Sequence, residues 1–330
     1  MASAAFEARR KRTRNTRIVG GEKVTPKHGY WDLHDYQVEA IDFATEKKKC
    51  ALFLKMGAGK TVIALTWARN LLRRGEARHI LILAPLRVAN SVWQPEIAKW
   101  SHLNHLDSIN ACGSINDRTL AITAHKSITV INHDKVKWLY QNHMWIWDTV
   151  IIDESSAYKS HRTKRFKMLS MMAAQCNNIL LLSGTPAPHS YMDLWSQMYL
   201  LDRGVALEPT WNKFVNKYFT IAFNGTYNEY ELTDFGRTEI KRLVEPLCMT
   251  IPESKFGQLD SIELDIKVEM PDNAKKAYKE IAQDYITSLL DGQQQLSVES
   301  ASALSMKLRQ IANGAAHTKI IQIKLTIFAR

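Results

Sequence analysis

Lys55-Met56-Gly57-Ala58-Gly59-Lys60-Thr61 follows directly on the apolar run Ala51-Leu52-Phe53-Leu54. These residue types at this spacing suit a nucleotide. Gly57 and Gly59, with Ala58 between them, let backbone N–H groups close around phosphate oxygens. Lys60 would reach the β- and γ-phosphates, and the Thr61 hydroxyl would take a place on Mg²⁺. The full G-x-x-x-x-G-K-[ST] pattern is not met, because Leu54 stands where its first glycine belongs. The plainer alternative is a glycine-rich turn with an exposed lysine. Further on, Thr149-Val150-Ile151-Ile152 runs into Asp153-Glu154. There Asp153 can hold Mg²⁺, and Glu154 can orient and deprotonate an attacking water. A third apolar run ends in Ser183-Gly184-Thr185-Pro186. Ser183 and Thr185 can hydrogen-bond the Asp153 and Glu154 carboxylates and report the state of the γ-phosphate. Taken alone, that segment reads as an ordinary strand-to-loop turn.

Positioning these groups calls for strands that end side by side. Short apolar runs at 51–54, 79–84, 127–131, 149–152 and 179–182 alternate with helix-length segments at 62–72, 89–100, 164–174 and 191–200. Such alternation predicts an α/β fold, a parallel sheet sandwiched by helices. Ligands of such sheets sit at the carboxyl ends of the strands, where the glycine loop falls. The first 28 residues carry Arg9-Arg10-Lys11-Arg12 with Arg14 and Arg17, and read as a solvated basic arm able to hold phosphates. Residues 29–205 form the expected ATP-binding lobe. Residues 206–255 read as an insertion of helices and a hairpin, signalled by Asn224-Gly225 between aromatic and β-branched residues. In 256–330, helices are expected at 275–290 and 301–311, and 319–328 alternates like a strand.

Across 330 residues, 45% hydrophobic and 23% charged, the net charge is +11. That surplus favours polyanions, nucleic acid before acidic membrane. No run approaches the roughly 18 apolar residues of a membrane span, and the charged N-terminus lacks a signal-peptide core. Cys50, Cys112, Cys176 and Cys248 form no C-x-x-C pair, which argues against zinc and disulfides and fits a cytoplasmic protein. His102, His105, His125 and His133 are not at metal spacing. Trp138, Tyr140, Trp145 and Trp147 fall among apolar residues at core spacing, which favours packing over base stacking.

The loop 56–61, the segment Asp153-Glu154-Ser155-Ser156 and the turn 183–186 resemble motifs I, II and III of superfamily 2 helicases and translocases, in order and spacing. Further pieces resemble the Swi/Snf-like branch, in the compact versions carried by bacteriophages and bacteria. Tyr36-Gln37 looks like the glutamine motif that reads adenine. Leu83-Ala84-Pro85-Leu86 with Trp93, Glu96, Lys99 and Trp100 is similar to the motif Ia region. Leu194-Trp195 matches the helix after motif III, and Lys307-Leu308-Arg309-Gln310-Ile311-Ala312-Asn313 a segment early in the second lobe. The resemblance spans roughly residues 33–317. It implies a RecA-like P-loop NTPase fold and MgATP hydrolysis coupled to movement on DNA. By the same resemblance Gln37 contacts the base, and Arg87 and Asn132 hold the phosphate backbone, with little sequence specificity.

Motif II departs from the family in its Ser-Ser, where relatives have Ala-His or Ala-Asp. The family's second lobe supplies arginine fingers, worth about 10³–10⁵ in kcat. The glutamine-glycine-arginine segment that carries them does not occur here, so the expectation is a partial second lobe, with the rest supplied in trans. Two other readings stay open: the motor part of a restriction system, and a nucleic-acid-binding, ATP-binding lobe with little turnover of its own.

Overall fold

The apolar runs become neighbouring strands of one parallel sheet. The computed structural model describes residues 17–19, 22–24, 27–184, 190–223, 228–251, 270–290 and 298–312. In chain order the strands are β1 (Arg17–Val19), β2 (Glu22–Val24), β3 (Lys49–Phe53), β4 (Ile80–Ala84), β5 (Ser108–Asn110), β6 (Ile128–Asn132), β7 (Thr149–Asp153), β8 (Asn178–Ser183), β9 (Phe219–Phe223), β10 (Asn228–Leu232) and β11 (Cys248–Thr250). The helices are α1 (Asp35–Lys47), α2 (Lys60–Arg74), α3 (Leu86–Ser91), α4 (Trp93–Lys99), α5 (Ile115–Thr123), α6 (Val136–Gln141), α7 (Lys164–Ala173), α8 (Met192–Asp202), α9 (Trp211–Tyr218), α10 (Asp234–Val244), α11 (Asp272–Leu290) and α12 (Val298–Ala312). Two compact units divide the chain, Met1–Gln258 and Leu259–Arg330.

Seven strands of the first unit lie in the order β11-β3-β8-β7-β4-β6-β5, all parallel. Side chains alternate between two cores, as the pleat requires. Leu81 and Leu83 face one, with Val150, Ile152, Leu169 and Met198. Ile80 and Ile82 face the other, with Ile63, Leu65, Trp67 and Leu71 of α2. Each fully buried aliphatic side chain contributes about 1.5–3 kcal/mol, so the sheet is clamped from both sides. On α1, Gln37, Ala40, Ile41 and Ala44 are buried at i, i+3, i+4 and i+7 spacing. Ser114, Thr163, Thr210 and Thr233 cap α5, α7, α9 and α10, each accepting a backbone N–H three residues on.

Several expectations change. The segment 89–100 is two helices, broken at Val92 (φ −111°, ψ −51°). Pro95 explains the break: it lacks an N–H, and its ring would meet the carbonyl of residue 91, so it is tolerated only in the first turn of α4. Within the basic arm, β1 and β2 pair as an antiparallel hairpin with Val19 opposite Glu22. Residues 248–250, assigned to the insertion by sequence, form the edge strand β11 beside β3. The expected hairpin is present as antiparallel β9 and β10, with Phe223 opposite Asn228; Asn224-Gly225 itself lies outside the described residues, as does 319–328. In the second unit α11 and α12 pack against each other. No helix among the described residues is long and apolar enough to cross a membrane.

Candidate active site

Strand order places the chemistry. β8 lies between β3 and β7, with Ser183 opposite Phe53 and Leu182 opposite Asp153. The glycine loop, the carboxylate pair and the serine turn therefore leave the sheet from three adjacent strands. Leu54 N–H donates to the Ser183 carbonyl (3.0 Å), tying the loop's first residue to β8.

The loop turns through two left-handed residues, Gly57 (φ 80°) and Gly59 (φ 75°), and α2 starts at Lys60. Gly59 serves a second purpose. A Cβ there would lie 2.3 Å from Gln37 Nε2. Gln37 itself is 5% exposed; its Nε2 donates to the Ala58 carbonyl (3.2 Å), and its Oε1 accepts from the His34 N–H (3.0 Å). Expected from sequence to meet a base, Gln37 thus also braces the phosphate loop against α1. Gly59→Ala is expected to cost about 1–3 kcal/mol of stability through backbone strain and to weaken nucleotide binding by displacing Gln37. Denaturant titration and nucleotide binding check this; a variant matching the parent in both would refute it.

Lys60 is half-buried, and its Nζ donates to the carbonyls of Leu54 (2.8 Å) and Lys55 (3.0 Å). Burial pulls its ammonium below the ordinary value, opposed by Asp153 and Glu154. Burial and the adjacent Glu154 push the Asp153 carboxyl up to about 6, with Lys60 acting the other way. Thr61 lies half-buried in the first turn of α2. An ammonium bonded only to loop carbonyls suits a polyanion, and an acidic pair short of positive charge suits a divalent cation. A nucleotide with its Mg²⁺ would meet both demands.

Glu154 has φ 52°, in the left-handed region where a non-glycine side chain is strained. Its Oε1 accepts from Ser156 Oγ (2.7 Å) and Ser183 Oγ (3.2 Å), and its N–H donates to Asp153 Oδ1 (3.1 Å). The bond foreseen between Ser183 and the carboxylate pair is present, made to Glu154; Thr185 lies outside the described residues. Sequence reading gave Ser156 no role, although the Ser-Ser departure pointed at it. Its neighbour Ser155 donates to Gln197 Oε1 (2.7 Å) in α8, both side chains fully buried. Nothing in the sequence marked Gln197.

The two expected nucleic-acid residues separate. Arg87 is exposed at the start of α3. Asn132, the last residue of β6, is 3% exposed and paired with Ala84, so its side chain faces the interior rather than a phosphate backbone. Among the described residues no three His, Cys, Asp or Glu side chains cluster as metal ligands. Trp147 is core and Trp138 and Trp145 are half-buried, but Tyr140 is exposed, against the core reading.

A model of the SNF2-related domain matches residues 30–317. The chain is 32% identical over 295 residues to "Putative protein p41" of Acyrthosiphon pisum secondary endosymbiont phage 1, covering 86% of this chain and 64% of that protein. It is 24% identical to human chromodomain-helicase-DNA-binding protein 6, across 85% of this chain and 10% of that one. It thus spans from about a tenth to about two thirds of these relatives' lengths. Among solved structures, the Sulfolobus solfataricus SWI2/SNF2 ATPase core in complex with dsDNA aligns with a TM-score of 0.59 at 20% identity, over 86% of this chain and 58% of that one. That likeness is one of fold, a RecA-like parallel sheet flanked by helices.

Proposed function

The chain belongs to the SNF2-related family, and from that premise we propose that it binds and hydrolyses MgATP as the first lobe of a Swi/Snf-like DNA translocase. The observation that carries the reading is the convergence of Lys60, Asp153, Glu154 and Ser183 at the ends of β3, β7 and β8. MgATP, when bound, supplies the transferable phosphoryl group and the cation that offsets its charge. Lys60 exchanges its two loop carbonyls for phosphate oxygens. Thr61 and Asp153 hold the cation. Glu154 takes the proton of the attacking water, its carboxylate oriented by Ser156 and Ser183. Catalysis of this kind is positioning plus electrostatic stabilisation, and the pinned carboxylate supports it.

Double-stranded DNA is the proposed track. The Sulfolobus ATPase core of similar fold was solved with dsDNA, the chain carries +11, and Arg87 stands exposed beyond β4 on the carboxyl edge of the sheet. Backbone contacts of this type confer affinity that falls with salt. Arginines of a second lobe, in cis or on another polypeptide, complete the site for rapid turnover. The proposed setting is the cytoplasm of a bacterial or phage-infected cell, a reading supported by the similarity to a phage protein.

Steady-state ATP hydrolysis with and without duplex DNA tests the reading. DNA-stimulated turnover is the expected result. MgATP binding without turnover would reduce the chain to a binding lobe awaiting arginines from elsewhere, and absence of binding would overturn the proposal.

A further inference from the structure

α8 buries Leu194, Met198 and Leu201 along one face, and Gln197 stands in the same stripe, at i, i+3, i+4 and i+7 spacing. Apolar residues suit such positions. A glutamine there is costly unless its amide is bonded. Both ends of this amide are used. Nε2 donates to the Asp193 carbonyl one turn back (2.9 Å), and Oε1 accepts from Ser155 Oγ (2.7 Å). Gln197 and Ser155 are both fully buried, and low dielectric strengthens a hydrogen bond so placed.

Ser155 follows Glu154 and opens the short 3-10 turn Ser155–Tyr158. Glu154 has φ 52° and ψ 60°, a left-handed backbone that persists only where its surroundings over-determine it. Its bonds to Asp153 and Ser156 are local and travel with the turn. Other contacts tie the turn to its frame. From β8, Ser183 holds the Glu154 carboxylate (3.2 Å); from α8, Gln197 holds the residue next to it. Lys159 pairs with Asp193 (3.9 Å), again on α8, and Tyr158 at the far end meets His133 (3.1 Å). Glu154 is thus gripped from two consecutive elements, by its side chain and by its chain neighbour.

We propose that Gln197 is a positioning residue for hydrolysis: through Ser155 it locks the left-handed backbone of Glu154 and so fixes where that carboxylate meets the attacking water. Gln197 has no exposed surface, so it acts through Ser155 and not on the nucleotide. Without its acceptor the Ser155 hydroxyl is buried and unpaired. The turn escapes that penalty by rotating out of the strained backbone, and the carboxylate moves with it. The inference rests on the proposed reading of Glu154 as general base.

The test uses the full chain. Single-turnover ATP hydrolysis with duplex DNA is measured beside equilibrium binding of a fluorescent, non-hydrolysable ATP analogue with Mg²⁺. Hydrogen exchange is followed over residues 150–160. Gln197→Leu, apolar like the rest of its stripe, is expected to slow hydrolysis by about 5- to 150-fold, the weight of one buried group left unpaired, with analogue affinity within about twofold. Exchange quickens at the turn amides, among them Ala157 N–H, which donates to the Glu154 carbonyl (3.0 Å). Ser155→Ala removes the same bond from the side of the turn and serves if Gln197→Leu fails to fold. Combining the two removes both partners of the bond, so the double variant is no slower than Gln197→Leu alone. Hydrolysis unchanged in both single variants overturns the inference. So does an equal fall in hydrolysis and analogue affinity, which marks a purely structural role, and so does slowed hydrolysis with the turn's exchange unaltered. A parent that binds the analogue but hydrolyses no ATP overturns the hydrolytic reading as well; a parent that hydrolyses, matched by its variants, overturns the inference alone.

Discussion

Lys60→Ala is expected to weaken MgATP binding by about 10- to 150-fold, the range for losing hydrogen bonds to a charged group, while the fold survives. Both parts follow from where Lys60 sits. Lys60 is half-buried and its Nζ bonds two backbone carbonyls, those of Leu54 and Lys55, so truncation costs the fold those two bonds and breaks no side-chain pair. Asp153 and Glu154 act on it electrostatically, so a phosphate there meets both a cation and, through Mg²⁺, the carboxylates. Thermal unfolding with and without MgATP reads this cleanly. At ligand a hundredfold above the parent's Kd, binding adds about 2.7 kcal/mol of stability. A hundredfold weaker variant keeps only about 0.4 kcal/mol by the same relation. If Lys60→Ala retained the full ligand-induced shift, the glycine loop would not be the phosphate site.

That loop was legible in the sequence because its chemistry is contiguous: two glycines, a lysine and a threonine between an apolar run and an amphipathic helix. The central strands were legible for a related reason, since burial on both faces leaves near-continuous Ile, Leu and Val. Edge strands lack that signature. Ser108–Asn110 is half-exposed throughout, and Cys248–Thr250 is a three-residue strand directly after the turn Glu245–Leu247; each pairs on one side only. The contacts that brace the site were hidden because they join residues distant in sequence. Gln37 meets Ala58 across 21 positions, His133 meets Tyr158 across 25, and Ser155 meets Gln197 across 42. Local pattern cannot pair such residues; strand order decides it. The burial of Asn132 has the same origin, for a polar residue ending a run of apolar ones reads as exposed until β4 is seen beside it.

Glu154→Gln is expected to lower turnover by about 10²–10⁴-fold, the usual contribution of a general base, with MgATP binding intact. Glutamine keeps the shape of the side chain and its Oε1, which can still accept from Ser156 and Ser183. The strained turn should therefore stand, and what is lost is the oxygen that receives a proton. Binding gains support from the neighbour. Glu154 helps to hold the Asp153 carboxyl up near 6, so neutralising it moves Asp153 toward its ordinary range and leaves it a firmer anion for Mg²⁺. Single-turnover hydrolysis beside equilibrium nucleotide binding separates the two effects. Turnover unchanged in Glu154→Gln would move the base elsewhere. Binding and turnover lost together would mean that the Glu154 charge maintains the turn itself, because the amide preserves every contact except those that need the negative charge.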